Sequence, residues 1–264
     1  MADEISFRAE AAAEYDRALS YMSGHFLPFL LRSARLAPGQ RVLDVATGTG
    51  IAAEAALGIV GSAGSVLATD MSPEMLEKAR QRLDRWPNAA VAIEDGQALS
   101  LADESFDAVL CSLSIMFFPD PARALAEFCR VARAGRRAAV SVWTAAERAY
   151  SGRINVIMAK HAPKLAEATA HASALGDAAK LVRLFTEAGF RDVETWIEKH
   201  TFMLPSFDAY YAPFERGGGG TGQALISLPE PIRHAIREEM RQSLRDDGGP
   251  VNIEVELRIG SGRK

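Results

Sequence analysis

The sequence predicts an α/β fold: a mostly parallel sheet with helices on both faces. Three observations carry this. The stretch Arg41-Val-Leu-Asp-Val-Ala-Thr-Gly-Thr-Gly50, followed by Ile51-Ala-Ala-Glu-Ala-Ala-Leu57, reads as strand, tight glycine turn and helix. Further apolar runs at 65–70, 89–93, 105–111 and 138–143 are separated by stretches of helical character, which is the βαβ rhythm. The segment from Val251 to Ile259 alternates Val251, Ile253, Val255, Leu257 and Ile259 and closes the sheet. A hydrophobic fraction of 48% in 264 residues suits one sizeable domain, residues 1–264, rather than two.

Taken in order, residues 7–35 carry Tyr15, Leu19, Met22, Phe26, Phe29, Leu30 and Leu31 at helical spacing, broken at Gly24 and Pro28. They read as two short helices capping the domain over 1–37. Pro38-Gly39 turns the chain into the first strand at 41–46, and a helix at 50–59 follows the glycines. Ser65-Val-Leu-Ala-Thr-Asp70 is a second strand ending in an acid. Ser72 as N-cap, Pro73 at the first position and Glu74 in the first turn start the next helix, with Met75, Leu76, Ala79 and Leu83 inward. Ala89–Ile93 is the third strand and runs into Glu94-Asp95-Gly96-Gln97. The fourth strand is Ser105–Cys111. Pro119-Asp120-Pro121 begins a helix to about Ala134 that Gly135 ends, and Ala138–Trp143 is the fifth strand. Two insertions, 145–176 and 205–250, flank a scaffold helix at 177–189 and a strand at Val193–Leu204. The second holds Tyr210, Tyr211, Phe214 and the run Gly217–Gly220, read as a mobile loop, then a helix at 229–245. The aromatics could wall an apolar pocket or form the insertion's own core.

The glycine turn is a nucleotide cradle, because glycine lets backbone approach a ligand and the following helix offers unpaired N–H groups. Gly48, Gly50 and Ala53 meet the loose spacing of a dinucleotide fingerprint, which keeps an NAD(P)-dependent oxidoreductase open. Asp44 weighs against it. An acid inside an apolar strand needs a cation or several donors, and it would repel a pyrophosphate but not an ammonium or a sulfonium.

Val42-Leu-Asp-Val-Ala-Thr-Gly-Thr-Gly50 resembles the first motif of the class I S-adenosylmethionine (SAM)-dependent methyltransferases, in particular their UbiE-like small-molecule group. The resemblance continues at Asp70, at Asp95-Gly96 and at Phe106-Asp107, and covers residues 40 to 144. It implies a Rossmann-like three-layer sandwich with seven strands and an antiparallel last strand. It implies a SAM-binding core at 38–144, with the N-terminal extension and the two insertions as a lid. The cofactor would be SAM, with S-adenosylhomocysteine (SAH) as product. Its site would be built from Asp44, Ala46, Thr47, Gly48 and Gly50, with Asp70 on the ribose, Met71 on the adenine edge, Asp95, Gly96 and Gln97 around the adenine, and Ser112 and Leu113 near the transferable methyl group. Ser114 and Met116 would line the same region. The activity implied is transfer of a methyl group to O, N or C of a small organic acceptor of aromatic or lipophilic character. Quinone-ring C-methyltransferases usually carry an Asn-bearing motif after the fourth strand, and Ser112-Leu-Ser-Ile-Met-Phe-Phe118 lacks it. A SAM-binding protein that does not methylate has the same signature.

A net charge of −4 without a long basic run argues against a nucleic-acid partner, which leaves a small-molecule acceptor. No stretch of about 18 uninterrupted apolar residues predicts a membrane span, and Met1-Ala-Asp-Glu4 has no signal-peptide character, so a cytoplasmic location is expected. A homodimer is a compatible expectation. Cys111 and Cys129 have no metal-type spacing, and no metal site is predicted. If the acceptor needs a general base, the neutral-pH candidates are His161 and His171 in the first insertion and His25 in the extension, with His200 and His234 behind them.

Overall fold

The computed structural model describes residues 9–163 and 175–264, with side chains from residue 19 onward. Helix α1, Ala9–Ser33, precedes β1, Arg41–Val45. Then come α2, Ile51–Val60; β2, Ser65–Asp70; α3, Pro73–Leu83; β3, Ala89–Ile93; and β4, Phe106–Ser112. Helix α4, Pro121–Val131, leads into β5, Ala132–Trp143, followed by α5, Gly152–His161, α6, Ala178–Glu187, and β6, Arg191–Leu204. The chain ends with α7, Phe207–Glu215, α8, Gly219–Ile226, α9, Glu230–Leu244, and β7, Val251–Arg263.

The seven strands form one sheet in the order β3-β2-β1-β4-β5-β7-β6. All pairings among β1 to β5 are parallel, whereas β7 lies antiparallel between β5 and β6. This is the Rossmann-like three-layer arrangement, with an antiparallel last strand. The strand order reverses between β1 and β4, so their carboxyl ends open a crevice where ligands of open α/β sheets bind. Period-two alternation along β1 assigns Leu43 and Val45 to one apolar cluster, with Val109, Leu125 and Phe128, and Val42 to the other, with Ala53, Leu57 and Leu110. Asp44 shares the parity of Val42 and points toward α2. Val42, Leu43, Ala53, Leu57, Val109 and Leu110 are all fully buried.

Helix α1 is one continuous helix and not two. Pro28 lies inside it, and Gly24 faces open space, so neither residue breaks the run. Its two apolar stripes explain why it holds: Met22 and Phe26 pack with one cluster, and Leu27, Leu30 and Leu31 with the other. Gly135 does not end α4 either. The helix stops at Val131, with the Ala132 N–H bonded to the Phe128 carbonyl, and Gly135 takes φ +76° in an irregular opening of β5.

The two insertions pack on each other beyond the carboxyl ends of β5 and β6. The Tyr210 hydroxyl donates to the Tyr150 carbonyl at 2.7 Å, and the rings of Tyr150, Tyr210, Phe202 and Phe214 meet edge-on or tilted. Tyr210, Tyr211 and Phe214 are therefore core of this cap. Thr221 bonds Ser151 across the insertions, and Lys160 and His161 at the end of α5 both reach Glu239 on α9. The Gly217–Gly220 run is no open loop: residues 217 to 219 are buried, and α8 begins at Gly219. A close approach explains the glycines, since a Cβ on Gly222 would stand 2.5 Å from the Gly217 carbonyl carbon.

Candidate functional site

Five of the predicted residues form a single turn at the end of β1. Asp44 is fully buried and accepts the Thr47 hydroxyl on Oδ2 at 2.5 Å. Its Oδ1 is buried and has no hydrogen-bond partner among the described residues. Burial pushes the carboxyl up to about 7, reinforced by the nearby Asp70 charge and opposed by the Thr47 hydroxyl and by the Ala53 backbone N–H that lies near without forming a hydrogen bond of good geometry. Ala46 takes the left-handed conformation, φ +53°, which costs a residue with a Cβ about 1 kcal/mol or more and persists only where neighbours hold it. Thr47 N–H donates to the Thr69 carbonyl at 2.8 Å, and the Ser114 hydroxyl donates to the Ala46 carbonyl at 3.1 Å. Gly50, φ +84°, is the N-cap of α2; a Cβ there would lie 3.2 Å from Ala79 on α3. Arg82 clamps the turn from that side, its Nε donating to the Thr49 carbonyl at 2.8 Å.

Asp70 closes the next edge. One carboxylate oxygen accepts the Gly48 N–H and the other the Ser72 N–H, both at 2.9 Å. Burial raises its pKa, and those backbone bonds together with one at Met71 oppose the rise. A carboxylate has about four acceptor sites, so beside these backbone bonds the side chain keeps capacity for a further donor while it holds the turn. Met71 follows with its side chain 60% exposed, free to cover a ligand.

At the end of β3, Asp95 Oδ1 accepts the Gln97 N–H at 2.9 Å and the Gln97 side-chain amide at 3.4 Å. Gln97 in turn accepts the Asp120 N–H at 2.7 Å, which ties this loop to the start of α4. Gly96 is required by space: a Cβ would meet Val45 and the Phe118 ring at 2.7 Å. At the end of β4, Ser112 and Leu113 complete the crevice. Leu113 is left-handed like Ala46, φ +55°, and its N–H is shared by the Ser141 carbonyl at 3.1 Å and hydroxyl at 3.0 Å. The left-handed residues Ala46 and Leu113 thus flank the switch point, one on each central strand.

The histidines lie elsewhere in the contacts. His25 stacks on His200 of β6, ring centroids 3.7 Å apart, with Phe202 against both; burial first, then the His200 charge, lowers its pKa, opposed by Glu198. His161 pairs with Glu239 at 3.0 Å within the cap. His171 lies outside the described residues. Met116 is 3% exposed and packs with the core cluster, while one side of it lines a cavity with Phe118, Leu175 and Leu184. The residues that sequence reasoning missed are Ser141, Phe118 and Arg82. Ser141 had a signal, a hydroxyl interrupting the apolar run 138–143; the other two had none, since their roles come from approach across elements.

The family model described as methyltransferase domain matches residues 43–140, the span that contains all of these turns. The UbiE ubiquinone/menaquinone biosynthesis C-methyltransferase of Cupriavidus pinatubonensis is 32% identical over 199 residues, covering 69% of this chain and 82% of that protein. An uncharacterized protein of Mycobacterium tuberculosis, Rv1405c, is 36% identical over 118 residues, 44% of this chain, and the match spans only 42% of that relative's length. Among solved structures, the YcgJ protein of Bacillus subtilis superposes with a TM-score of 0.61 at 18% identity, over 91% of this chain and 98% of that one. Phosphoethanolamine N-methyltransferase 2 of Haemonchus contortus, solved with S-adenosyl-L-methionine, superposes with a TM-score of 0.62 at 16% identity, over 99% of this chain and 58% of that one. Fold and cradle together are those of a Rossmann-like methyltransferase. The chain belongs to the class I SAM-dependent methyltransferases, in their UbiE-like group. Membership sets the dinucleotide reading of Gly48 and Gly50 aside, and SAM is the cofactor of this family.

The residues present fit that cofactor. The buried Asp44 Oδ1 lacks the donor that an amino acid's ammonium group provides, directly or through a water. Asp95 has one oxygen, Oδ2, that takes no bond from the described residues, where an adenine amino group could donate. A Cβ on Gly48, φ +56°, would project into open space above the turn, so the cradle has room over its backbone.

Proposed function

We propose that this chain transfers a methyl group from SAM to an O, N or C nucleophile of a small organic acceptor. The observation that carries the reading is the convergence of Asp44, Asp70 and Asp95 on one crevice, with an unpaired carboxylate oxygen on the first. When bound, SAM supplies a methyl group already activated on a sulfonium. Asp44 then holds the ammonium end, Asp70 takes a ribose hydroxyl with its remaining acceptor capacity, and Asp95 accepts from the adenine amino group with Gly96 leaving room for the ring. Ala46 and Leu113 bring backbone rather than side chains to the reacting region. The cap keeps water out and aligns the acceptor, which is where most of the rate enhancement for an activated electrophile comes from.

A cavity of about 310 Å³ supports a small, largely apolar acceptor. It is lined by Met116, Phe118, Leu175 and Leu184, with Lys180 and Asp120 as its charged groups, and it shares Phe118 with the adenine loop. His25 and His161 are held in other contacts, so we assign general-base catalysis to neither; a thiol, an amine or an acidic enol would react without one. The test is calorimetric titration with SAM, SAH and NADH, followed by an acceptor panel with SAH release as readout. Micromolar binding of SAM and SAH, none of NADH, and turnover of at least one apolar acceptor are expected. Binding of NADH alone would overturn the cofactor, and SAM binding without any turnover would point to a non-methylating binding protein.

A further inference from the structure

The chain that leaves β4 joins the cofactor turn to the cavity proposed for the acceptor. Ser112 ends the strand, Leu113 turns left-handed, and a 3₁₀ turn, Ile115–Phe117, delivers Phe118. At its start this loop is held from β5, where the buried Ser141 offers both its carbonyl and its hydroxyl to the Leu113 N–H. The next residue reaches β1. The Ser114 hydroxyl shares its single proton between the Ala46 carbonyl at 3.1 Å and the Ser112 carbonyl at 3.0 Å. At its end the loop lines the cavity with Met116 and Phe118, and the Phe118 ring packs beside Gly96 of the adenine loop.

The Ser114 bond spans two strained stretches of backbone. Ala46, φ +53°, belongs to the turn that carries Asp44, Thr47 and Gly48, and Leu113, φ +55°, directly precedes Ser114. A left-handed residue with a Cβ keeps that conformation only while its neighbours hold it. The cofactor turn has holders of its own: Thr47 N–H bonds the Thr69 carbonyl at 2.8 Å and Gly48 N–H bonds Asp70 at 2.9 Å. The loop is the partner free to move. Its 3₁₀ turn closes with Phe117 N–H on the Ser114 carbonyl at 2.9 Å and Phe118 N–H on the Ile115 carbonyl at 3.2 Å, so a shift at Ser114 passes to Met116 and Phe118. Ile115 is fully buried and anchors the turn to the core, but apolar packing has no direction, whereas a hydrogen bond fixes distance and angle. Methyl transfer depends on that spacing. The reacting atoms must meet at about 3 to 3.5 Å, and a misplacement of about 1 Å can cost about a hundredfold in rate.

We infer that Ser114 is a positioning residue: its hydroxyl sets the spacing between the cofactor turn and the acceptor wall, and it serves turnover rather than SAM binding. The inference rests on the methyl-transfer reading of the crevice. Asp44, Asp70 and Asp95 hold the cofactor without Ser114, so Ser114→Ala should bind SAM and SAH within about threefold of the native affinity in calorimetry. Its kcat with the acceptor that the panel yields should fall by about tenfold or more, with KM for SAM unchanged. Ser114→Thr keeps the hydroxyl and should recover kcat to within about threefold of native. A second readout needs no acceptor. In protein carrying isotope-labelled methionine methyl groups, the Met116 resonance, assigned with Met116→Leu, should shift on addition of SAH in the native protein and in Ser114→Thr, and by less than half as much in Ser114→Ala. If the panel yields no acceptor, the Met116 response alone decides. An unchanged kcat in Ser114→Ala, an equal Met116 shift in native protein and Ser114→Ala, no recovery in Ser114→Thr, or a loss of SAM affinity as large as the loss of kcat would overturn the spacing role. A native protein that binds no SAM would overturn the methyltransferase reading and this inference with it, whereas native SAM binding with an indifferent Ser114→Ala overturns the role of Ser114 alone.

Discussion

Asp44 makes the cradle's stability depend on pH in a direction opposite to that of most paired carboxylates. Its folded-state pKa is about 7 against 3.8 for the free side chain. Between those values the folded protein holds a proton that the unfolded chain has lost, so stability falls as pH rises through this window and stays low above it. At about 1.4 kcal/mol per pH unit the whole window is worth about 4 kcal/mol, and the part between pH 5 and 7 about 3 kcal/mol. Asp44→Asn keeps the shape and lets the amide oxygen accept the Thr47 hydroxyl, but removes the titration. Its buried NH2 stands where Oδ1 was and costs about 1 to 3 kcal/mol unpaired. Cofactor-free protein and variant should therefore be close in stability at pH 5, with the variant the more stable by about 1 to 3 kcal/mol at pH 8. Urea unfolding at the two pH values measures this, and the difference between the two proteins isolates Asp44 from Asp70 and the other titrating groups. SAM should reverse the sense: a bound ammonium favours the ionised carboxylate, so affinity should rise from pH 5 to 7 in the native protein and stay flat in the variant. Parallel stability curves for the two proteins from pH 5 to 8 would refute the buried, unpaired carboxylate.

Asp70→Asn should weaken SAM binding by about 1.5 to 3 kcal/mol, because the amide's NH2 confronts a backbone N–H that the carboxylate now accepts and loses one ribose acceptor as well; calorimetry decides it, and unchanged affinity would remove Asp70 from the site. Gly96→Ala places a Cβ 2.7 Å from Val45 and Phe118 and should cost about 1 to 3 kcal/mol of stability together with a loss of SAM affinity, read by unfolding and titration. Gly222→Ala meets Gly217 at 2.5 Å and Phe214 at 2.8 Å, both backbone, so it should disrupt the cap and abolish turnover while SAM affinity holds; an equal loss of both would mean that cap and cradle are one unit. His25 has a depressed pKa, so the folded state binds fewer protons than the unfolded chain below the ordinary histidine value and stability should fall as pH drops through that range; His25→Phe should lessen the acid sensitivity without altering turnover at pH 8, and a turnover loss would return His25 to the list of bases.

The cradle was legible because each of its turns is local. Gly48 and Gly50 mark the first turn, Asp70 ends an apolar run and is followed by an N-cap serine, and Asp95-Gly96 ends another; each signal occupies fewer than ten residues and needs no partner from afar. The left-handed Ala46 and Leu113 were not legible, since nothing in an alanine or a leucine announces φ above zero. Their conformation is imposed by Ser114 on Ala46 and by Ser141 on Leu113, contacts 68 and 28 residues apart in sequence. Local strain held by distant hydroxyls is a tertiary property.

The cap misread in two places follows from the same division. Gly24 and Pro28 carry helix-breaking propensity worth about 1 to 3 kcal/mol, and α1 overrides it by burying two stripes of large side chains, one against each core cluster. The Gly217–Gly220 run carries loop propensity, and the packing of Gly222 against Gly217 turns it into a helix start. Glycine was predicted as freedom where the structure uses it as proximity. In the cradle the two uses coincide, because a turn that must approach a cofactor also needs positive φ, and Gly50 serves both. In the cap they separate, and only the fold distinguishes a glycine that lets the chain bend from one that lets two helices touch.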